Sequence, residues 1–513
     1  MRLAYLLGLI TLISARRHPS LPPYLFGRPT SGGFTNHGLY LQDASLGSIQ
    51  GPNISIHLFN QKIDHFSSSN ETFEQRYWHN LNYSKDKNII FLLIQGESVA
   101  TDVWVKNPNI TYLKLAQKFG AHVFQLEHRC FGFSRPYPDL SFPHLSTCTV
   151  DQALEDIHTF IQAKNAYFKY SNPKWIIFGG SYPGSLAALF RMKYPNDTKG
   201  AIASSAPMLW TLDFFQYAQV MNDVLEETDP NCKRAVEDAF TTMQELSLTN
   251  NGRDLLNYYF NLKPPFVANR TTQHDVDNFF ANVFTFFQEV IQYSYNGMNN
   301  ATRAGLGVLK LCEHMTDSHR YPDVVVRVNN TINWINDMDG QPRQPFANSY
   351  SEMIKVLSNV TFDDEDPYQL NAAIRGWLWL CCNELGVLQS TNLGRNVFQQ
   401  IIPLNYYVDM CTETFDPSVN IEYIRDRNRK TLTKFGGADG YKATNVVLPN
   451  GSIDPWHVLG TYKSDEENHQ IPILIEGTAH CADMYPAYNG EPKALESVRK
   501  TIEKEIAYFL DVN

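Results

Sequence analysis

Short apolar runs, each halted by glycine or by charged residues, punctuate the first two-fifths of the chain. Asn88-Ile-Ile-Phe-Leu-Leu-Ile-Gln95 stops at Gly96-Glu97-Ser98. His122 to Leu126 stops at Glu127-His128-Arg129, Trp175 to Phe178 at Gly179-Gly180, and a further run spans Gly200 to Ala206. Runs of this length, bounded by turn residues, predict strands buried on both faces. Between the second and third, Val150 to Lys164 sets Ala153, Ile157, Phe160 and Ile161 on one helical face, with acidic Asp151 near its start. Strands alternating with helices predict a parallel sheet covered on both sides, an α/β architecture.

From Leu212 to Asn405 the period changes. Segments such as Val276 to Tyr295 and Asn371 to Leu388 read as helices with no strand partners, and strand signals return only near Ala443. Asn445 to Pro449 and Ile471 to Ile475 are the next two strands. The expected organisation is a hydrolase-type α/β domain over residues 51–211 and 406–513, interrupted by a helical cap over residues 212–405. Residues 1–15 read as a signal peptide, with Arg2, an apolar core from Leu3 to Ile13, and Ile13-Ser14-Ala15 as cleavage site. Residues 16–50, with many Gly, Pro and Ser, read as a loose lead-in, and Arg16-Arg17 is a candidate processing site.

Three strand ends carry the candidate chemistry. Gly179-Gly180-Ser181-Tyr182-Pro183-Gly184 follows a strand and opens a helix, the layout of a nucleophile elbow, with Pro183 where the common motif has glycine. Proline in the first turn of a helix is well tolerated. The unpaired N–H groups of that turn suit a developing oxyanion. Asp454 follows the strand Asn445 to Pro449, and His480 follows the strand Ile471 to Ile475. Any one of these has a bland reading as a turn or loop residue. The order Ser, Asp, His, each just after the end of an apolar strand, is that of a hydrolase triad.

The chain has 513 residues and a net charge of −10, which argues against a nucleic-acid partner. No run after the signal peptide is long and apolar enough to span a membrane. Eight cysteines in a secretory context imply disulfides, with no C-x-x-C zinc pattern and no readable connectivity. Sequons stand at Asn53, Asn70, Asn82, Asn109, Asn196, Asn269, Asn300, Asn329 and Asn359. A tenth, Asn450, is poorly suited to carry sugar because it sits in the Asp454 loop.

Together these residues resemble the serine peptidase family of lysosomal prolyl carboxypeptidase, dipeptidyl peptidase II and thymus-specific serine protease. The resemblance rests on Phe59-Asn-Gln-Lys-Ile-Asp-His-Phe66, Thr72-Phe-Glu-Gln-Arg-Tyr77, Glu127-His128-Arg129 with Gly132 and Ser134, and Asp151-Gln-Ala-Leu-Glu-Asp156. It continues through the Gly-Gly-Ser-Tyr-Pro-Gly elbow, Gly436-Gly437, Asn450-Gly-Ser-Ile-Asp-Pro-Trp456, and His480 with Asp483. The Ala479-His-Cys-Ala-Asp-Met484 segment looks most like the thymus-specific branch. The resemblance implies an α/β-hydrolase fold with a helical insertion between nucleophile and aspartate. It also implies exopeptidase cleavage after proline or a small residue, by Ser181, Asp454 and His480. The N–H groups of Tyr182 and of Gly96 or Glu97 would form the oxyanion site. No metal or organic cofactor is called for. Peptides are the expected substrates, a homodimer is among the assemblies implied, and the location is the secretory route, secreted or lysosomal. Two alternatives stay open on the same scaffold: an ester hydrolase and a catalytically silent secreted binding protein. Carboxypeptidase and dipeptidyl peptidase action also stay open.

Overall fold

A computed structural model describes residues 18–30, 54–294, 305–338, 341 and 344–512. The signal peptide, Arg16-Arg17, most of the lead-in, Asn53 and Asn300 lie outside the described residues.

Eight strands form one sheet. They are β1 (Ile54–Lys62), β2 (Thr72–Asn80), β3 (Ile89–Ile94), β4 (His122–Leu126), β5 (Lys174–Gly180), β6 (Gly200–Ser204), β7 (Val446–Gly451) and β8 (Gln470–Ile475). Their spatial order is β8-β7-β6-β5-β3-β4-β2-β1. From β4 to β8 every neighbouring pair is parallel. This mixed sheet, with helices on both faces, is an α/β-hydrolase fold.

The strands read from the sequence are the parallel ones, and the sheet extends beyond them at one edge with two strands that the sequence reading did not include. β1 and β2 pair antiparallel over nine residues, and β2 runs antiparallel to β4. The apolar-run criterion passed over both because their faces differ: β1 is mostly half-exposed and β2 alternates.

In β3 the side chains alternate between two cores, as a period of two requires. Ile90, Leu92 and Ile94 join one cluster with Phe160 and Leu186, while Ile89, Phe91 and Leu93 join another with Leu113 and Ile502. The helices concerned are α1 (Thr111–Phe119), α2 (Val150–Phe168), α3 (Tyr182–Lys193) and, at the C-terminus, α8 (Lys493–Phe509). Thr149 caps α2 by accepting from the Gln152 N–H, and the helix runs four residues past the expected end at Lys164.

Among the described residues between β6 and β7 the chain is mostly helical, including α4 (Gln216–Thr228), α5 (Pro230–Ser247), α6 (Gln273–Gln292) and α7 (Leu370–Leu380), with one two-residue strand pair, Leu262–Lys263 and Phe346–Ala347. α7 passes into a π-helical turn, Cys381–Leu385. Helices continue beyond Asn405, through Leu404–Thr414 and Ile421–Phe435, so that boundary falls inside a helix rather than at its end. Three disulfides join Cys130 to Cys148, Cys232 to Cys312, and Cys382 to Cys411, leaving Cys381 and Cys481 as buried thiols.

The described part of the lead-in is not loose. Residues 21–30 are buried without a break. Tyr24–Leu25 and Arg28–Pro29 pair as a small antiparallel hairpin, and Leu21, Tyr24, Leu25 and Phe26 enter the main core.

Candidate active site

Ser181 stands between the end of β5 and the start of α3, with φ 65° and ψ −133°, a conformation that non-glycine residues rarely adopt. Two main-chain bonds hold it there. Its N–H donates to the Ser204 carbonyl at 2.9 Å, and its carbonyl accepts from the Ser185 N–H at 3.1 Å. The turn needs glycine before the serine: a Cβ on Gly179 would lie 2.1 Å from the Pro183 carbonyl oxygen.

Asp454 and His480 meet at the ends of β7 and β8. His480 Nδ1 lies 2.6 Å from Asp454 Oδ2, and both side chains are fully buried. The other carboxylate oxygen of Asp454 accepts from the Trp456 N–H at 3.0 Å, so neither oxygen faces apolar surroundings alone. Burial disfavours charge on the imidazole, but the adjoining Asp454 carboxylate outweighs it and holds the His480 pKa above the ordinary histidine range. The His480 loop lies against the elbow. A Cβ on Gly180 would come within 3.1 Å of Cys481 Sγ, and the Cys481 N–H donates to Ser205 Oγ at 2.9 Å.

The helical segment contributes a residue that sequence reasoning did not single out. Gln292, the last residue of α6, accepts the His480 N–H on its carbonyl at 2.9 Å. Its side-chain oxygen accepts from Tyr217 Oη at 2.6 Å and from Trp456 Nε1 at 3.1 Å. Tyr293 next to it sets its ring edge-on to His480, with centroids 5.5 Å apart. Nothing local in the sequence marks a helix-terminal glutamine as a partner of a histidine so far along the chain. Ser181 is 2% exposed, His480 1% and Asp454 0%, so the site is roofed over.

The second loop beside the elbow is Gly96-Glu97-Ser98. Gly96 touches the elbow closely, since a Cβ there would lie 2.4 Å from Pro183 Cγ. The Ser98 N–H donates to the Gly96 carbonyl at 2.9 Å. Buried Arg28 from the N-terminal hairpin donates from Nε and Nη2 to the Glu97 carbonyl at 2.9 and 2.6 Å.

The remaining motif residues support the site from below. His128 Nδ1 lies 2.6 Å from the Arg129 carbonyl, which can only accept, so Nδ1 carries the proton. Burial pushes the His128 pKa down to about 4, so Nε2 is left free to accept the Tyr182 hydroxyl at 3.0 Å. That bond steadies the residue that follows Ser181. Glu127 accepts from Arg76 Nη2 at 2.7 Å, the Ala100 N–H at 3.1 Å and Ser134 Oγ at 2.5 Å. Asp156 accepts from Arg129 Nε at 2.7 Å and lies 2.8 Å from His65 Nε2.

Among the described residues, no group of three or more His, Cys, Asp or Glu is placed to hold a metal ion, and no helix is long and apolar enough to cross a membrane. The sequons at Asn70, Asn82, Asn196, Asn269 and Asn359 are exposed, Asn109 and Asn329 half-buried, and Asn450 buried.

The sequence profile of a peptidase family described as Serine carboxypeptidase S28 matches residues 61–502. A Caenorhabditis elegans protein bearing the name serine protease F56F10.1 is 47% identical over 508 residues, covering 98% of this chain and 93% of its own. The thymus-specific serine protease of Mus musculus is 28% identical over 466 residues, covering 88% of this chain and 86% of its own. The lysosomal Pro-X carboxypeptidase of Bos taurus is 27% identical over 467 residues, covering 89% and 87%.

Proposed function

The chain belongs to the serine carboxypeptidase S28 family of serine peptidases, and from that premise we propose that Ser181, His480 and Asp454 are its catalytic triad and that it removes residues from the end of a peptide. The observation that carries this reading is the buried His480–Asp454 pair at 2.6 Å, on loops packed against a strained serine elbow.

The chemistry follows from these positions. Ser181 Oγ adds to the scissile carbonyl as His480 Nε2 takes its proton. Asp454 keeps the other ring nitrogen protonated and stabilises the imidazolium. The carbonyl oxygen becomes an oxyanion, received by the Tyr182 N–H and by the Glu97 N–H of the Gly96–Glu97 peptide. The C–N bond then breaks, His480 returns the proton to the leaving amine, and the acyl group stays on Ser181. Water repeats the sequence, with His480 as base, and releases the acid.

The roofed site supports exopeptidase action. Gln292, Tyr293 and Tyr217 close over His480, and a cover of this kind excludes water and the middle of a folded chain. Cleavage after proline or a small residue is the specificity that the family resemblance implies. The disulfides fit an oxidising compartment, and a relative is named lysosomal, which supports a secretory, lysosomal or extracellular location. The exposed sequons support glycosylation along that route.

The test is digestion of a proline-scanning peptide set, blocked at one end or the other and read by mass spectrometry. Wild type is expected to trim only peptides with one particular terminus free, and Ser181→Ala to trim none. Internal cleavage of doubly blocked peptides would overturn the exopeptidase reading. Turnover of esters alone would favour an ester hydrolase, and no Ser181-dependent turnover a silent scaffold.

A further inference from the structure

Arg28 is a cation in an unexpected place. It is 1% exposed, in a segment whose composition reads as linker, yet three of its N–H groups reach main-chain carbonyls. Nη1 donates to the Pro29 carbonyl at 2.7 Å, while Nε and Nη2 both close on the carbonyl of Glu97, 69 positions away. A buried charge is expensive unless a specific contact compensates it. Burial lowers the Arg28 pKa to about 10, against the opposing pull of Glu97 and Tyr293, so the guanidinium stays charged throughout the acidic and neutral range.

The contacted carbonyl belongs to the oxyanion loop. In a trans peptide group the C=O and N–H point in opposite directions. The Gly96 carbonyl is drawn to the Ser98 N–H at 2.9 Å, so the Glu97 N–H, in the same peptide group, is turned the other way. The next peptide group is fixed by its own carbonyl on Arg28. Two successive planes are thereby set, with Gly96 lodged on Pro183 of the elbow. The hairpin that delivers Arg28 is itself anchored at the site. Tyr24 lies tilted against Tyr293 with ring centroids 6.5 Å apart, and Trp377 Nε1 donates to the Phe26 carbonyl at 3.4 Å.

We infer that Arg28 is a positioning residue for the oxyanion site: the N-terminal hairpin brings its guanidinium onto the Glu97 carbonyl, and this grip aims the loop N–H at the oxygen that becomes negative. The inference rests on the triad and oxyanion reading above. A preorganised donor stabilises the transition state far more than the ground state. A guanidinium fork reaches the carbonyl with two donors at once, whereas the ammonium of lysine is a point charge on a flexible stem.

The test uses the full chain as wild type, Arg28→Lys and Arg28→Gln. Four quantities are measured: kcat and KM on one peptide, the affinity of a peptidyl boronate that forms a tetrahedral adduct on serine, the affinity of the product peptide, and Tm. Arg28→Gln is expected to lower kcat by about 10–100-fold, short of the ~100–1,000-fold for outright loss of one donor. Boronate affinity should fall in parallel, with KM and product affinity changed less than about threefold, and Arg28→Lys should lie between. Arg28→Lys keeps the charge and the stem, so it decides the matter where Arg28→Gln does not accumulate folded. Lys and Gln variants with kcat and boronate affinity within about twofold of wild type would overturn the inference. So would equal losses of boronate and product affinity, the mark of a merely structural role. Failure of the triad reading looks different: wild type itself would then form no boronate adduct on Ser181.

Discussion

Ser181 holds a backbone conformation, φ 65°, that costs a non-glycine residue about 1–3 kcal/mol. It persists because its N–H and carbonyl are both claimed, by Ser204 and Ser185. In the proposed triad, Asp454 acts on the chemistry through charge. Since its carboxylate is the foremost of the groups that raise the His480 pKa, ahead of the Cys481 thiol, Asp454→Asn removes the main cause. The general base must be neutral, so the acid limb of kcat/KM should move to lower pH in Asp454→Asn, while kcat falls by about 10⁴-fold through loss of the tautomer lock. A limb that stays in place would contradict the assignment. Asp483 supplies a stability prediction. Burial, against hydrogen bonding from Ser204 Oγ at 2.5 Å and the charge of Arg499, raises its carboxyl to about 6. The fold therefore binds this proton more tightly than the unfolded chain does, at an ordinary pKa of about 3.9. The stabilisation is complete below about pH 4 and is lost as pH rises through 6. Asp483→Asn can still accept from Ser204 and does not titrate. It should flatten Tm between about pH 4 and 6 and raise it at neutral pH, and parallel curves would refute this.

At the scale of elements, the motif strands and α2 are bound by buried polar contacts rather than by apolar area alone. Asp156 on α2 reaches Arg129 after β4 and His65 after β1. Removing one member of such a group strands the others without partners. Asp156→Ala is expected to cost about 3–5 kcal/mol, read as a lower urea midpoint with unchanged slope. A loss under about 1 kcal/mol would show the network to be dispensable. The central strands were legible because they are buried on both faces and therefore continuous in apolar sequence. β1 and β2 were not, because an antiparallel edge can leave one face wet. The elbow at Ser181 and the loops that pair Asp454 with His480 were legible because strand ends in chain order are a sequence property. Gln292 and Arg28 were not, because each reaches the site through tertiary packing, from a helix end and from a Pro- and Gly-rich hairpin.

At the scale of the molecule, the helical segment and the sheet share one site. α6 supplies the carbonyl that receives the His480 N–H, and the N-terminal hairpin closes a second side. The disulfide Cys232–Cys312 ties α5 to a later helix across 80 positions, and Cys130–Cys148 braces the segment after β4. The π turn after α7 orients Cys382 toward Cys411 and leaves Cys381 buried. Thiol titration without reductant should find two thiols after unfolding and none in the native protein, because both are fully buried and burial raises their pKa values. A count of zero or of four or more would refute this pairing.

The central claim is that Ser181 is a nucleophile activated by a buried histidine–aspartate pair. Its most direct test is active-site labelling with a fluorophosphonate, followed by proteolysis and mass spectrometry of the adduct. One adduct per chain is expected, on the Gly179-Gly180-Ser181 peptide, formed rapidly by wild type, slowly by His480→Ala, and not at all by Ser181→Ala. An adduct on another serine, or labelling of Ser181 that ignores His480, would contradict it.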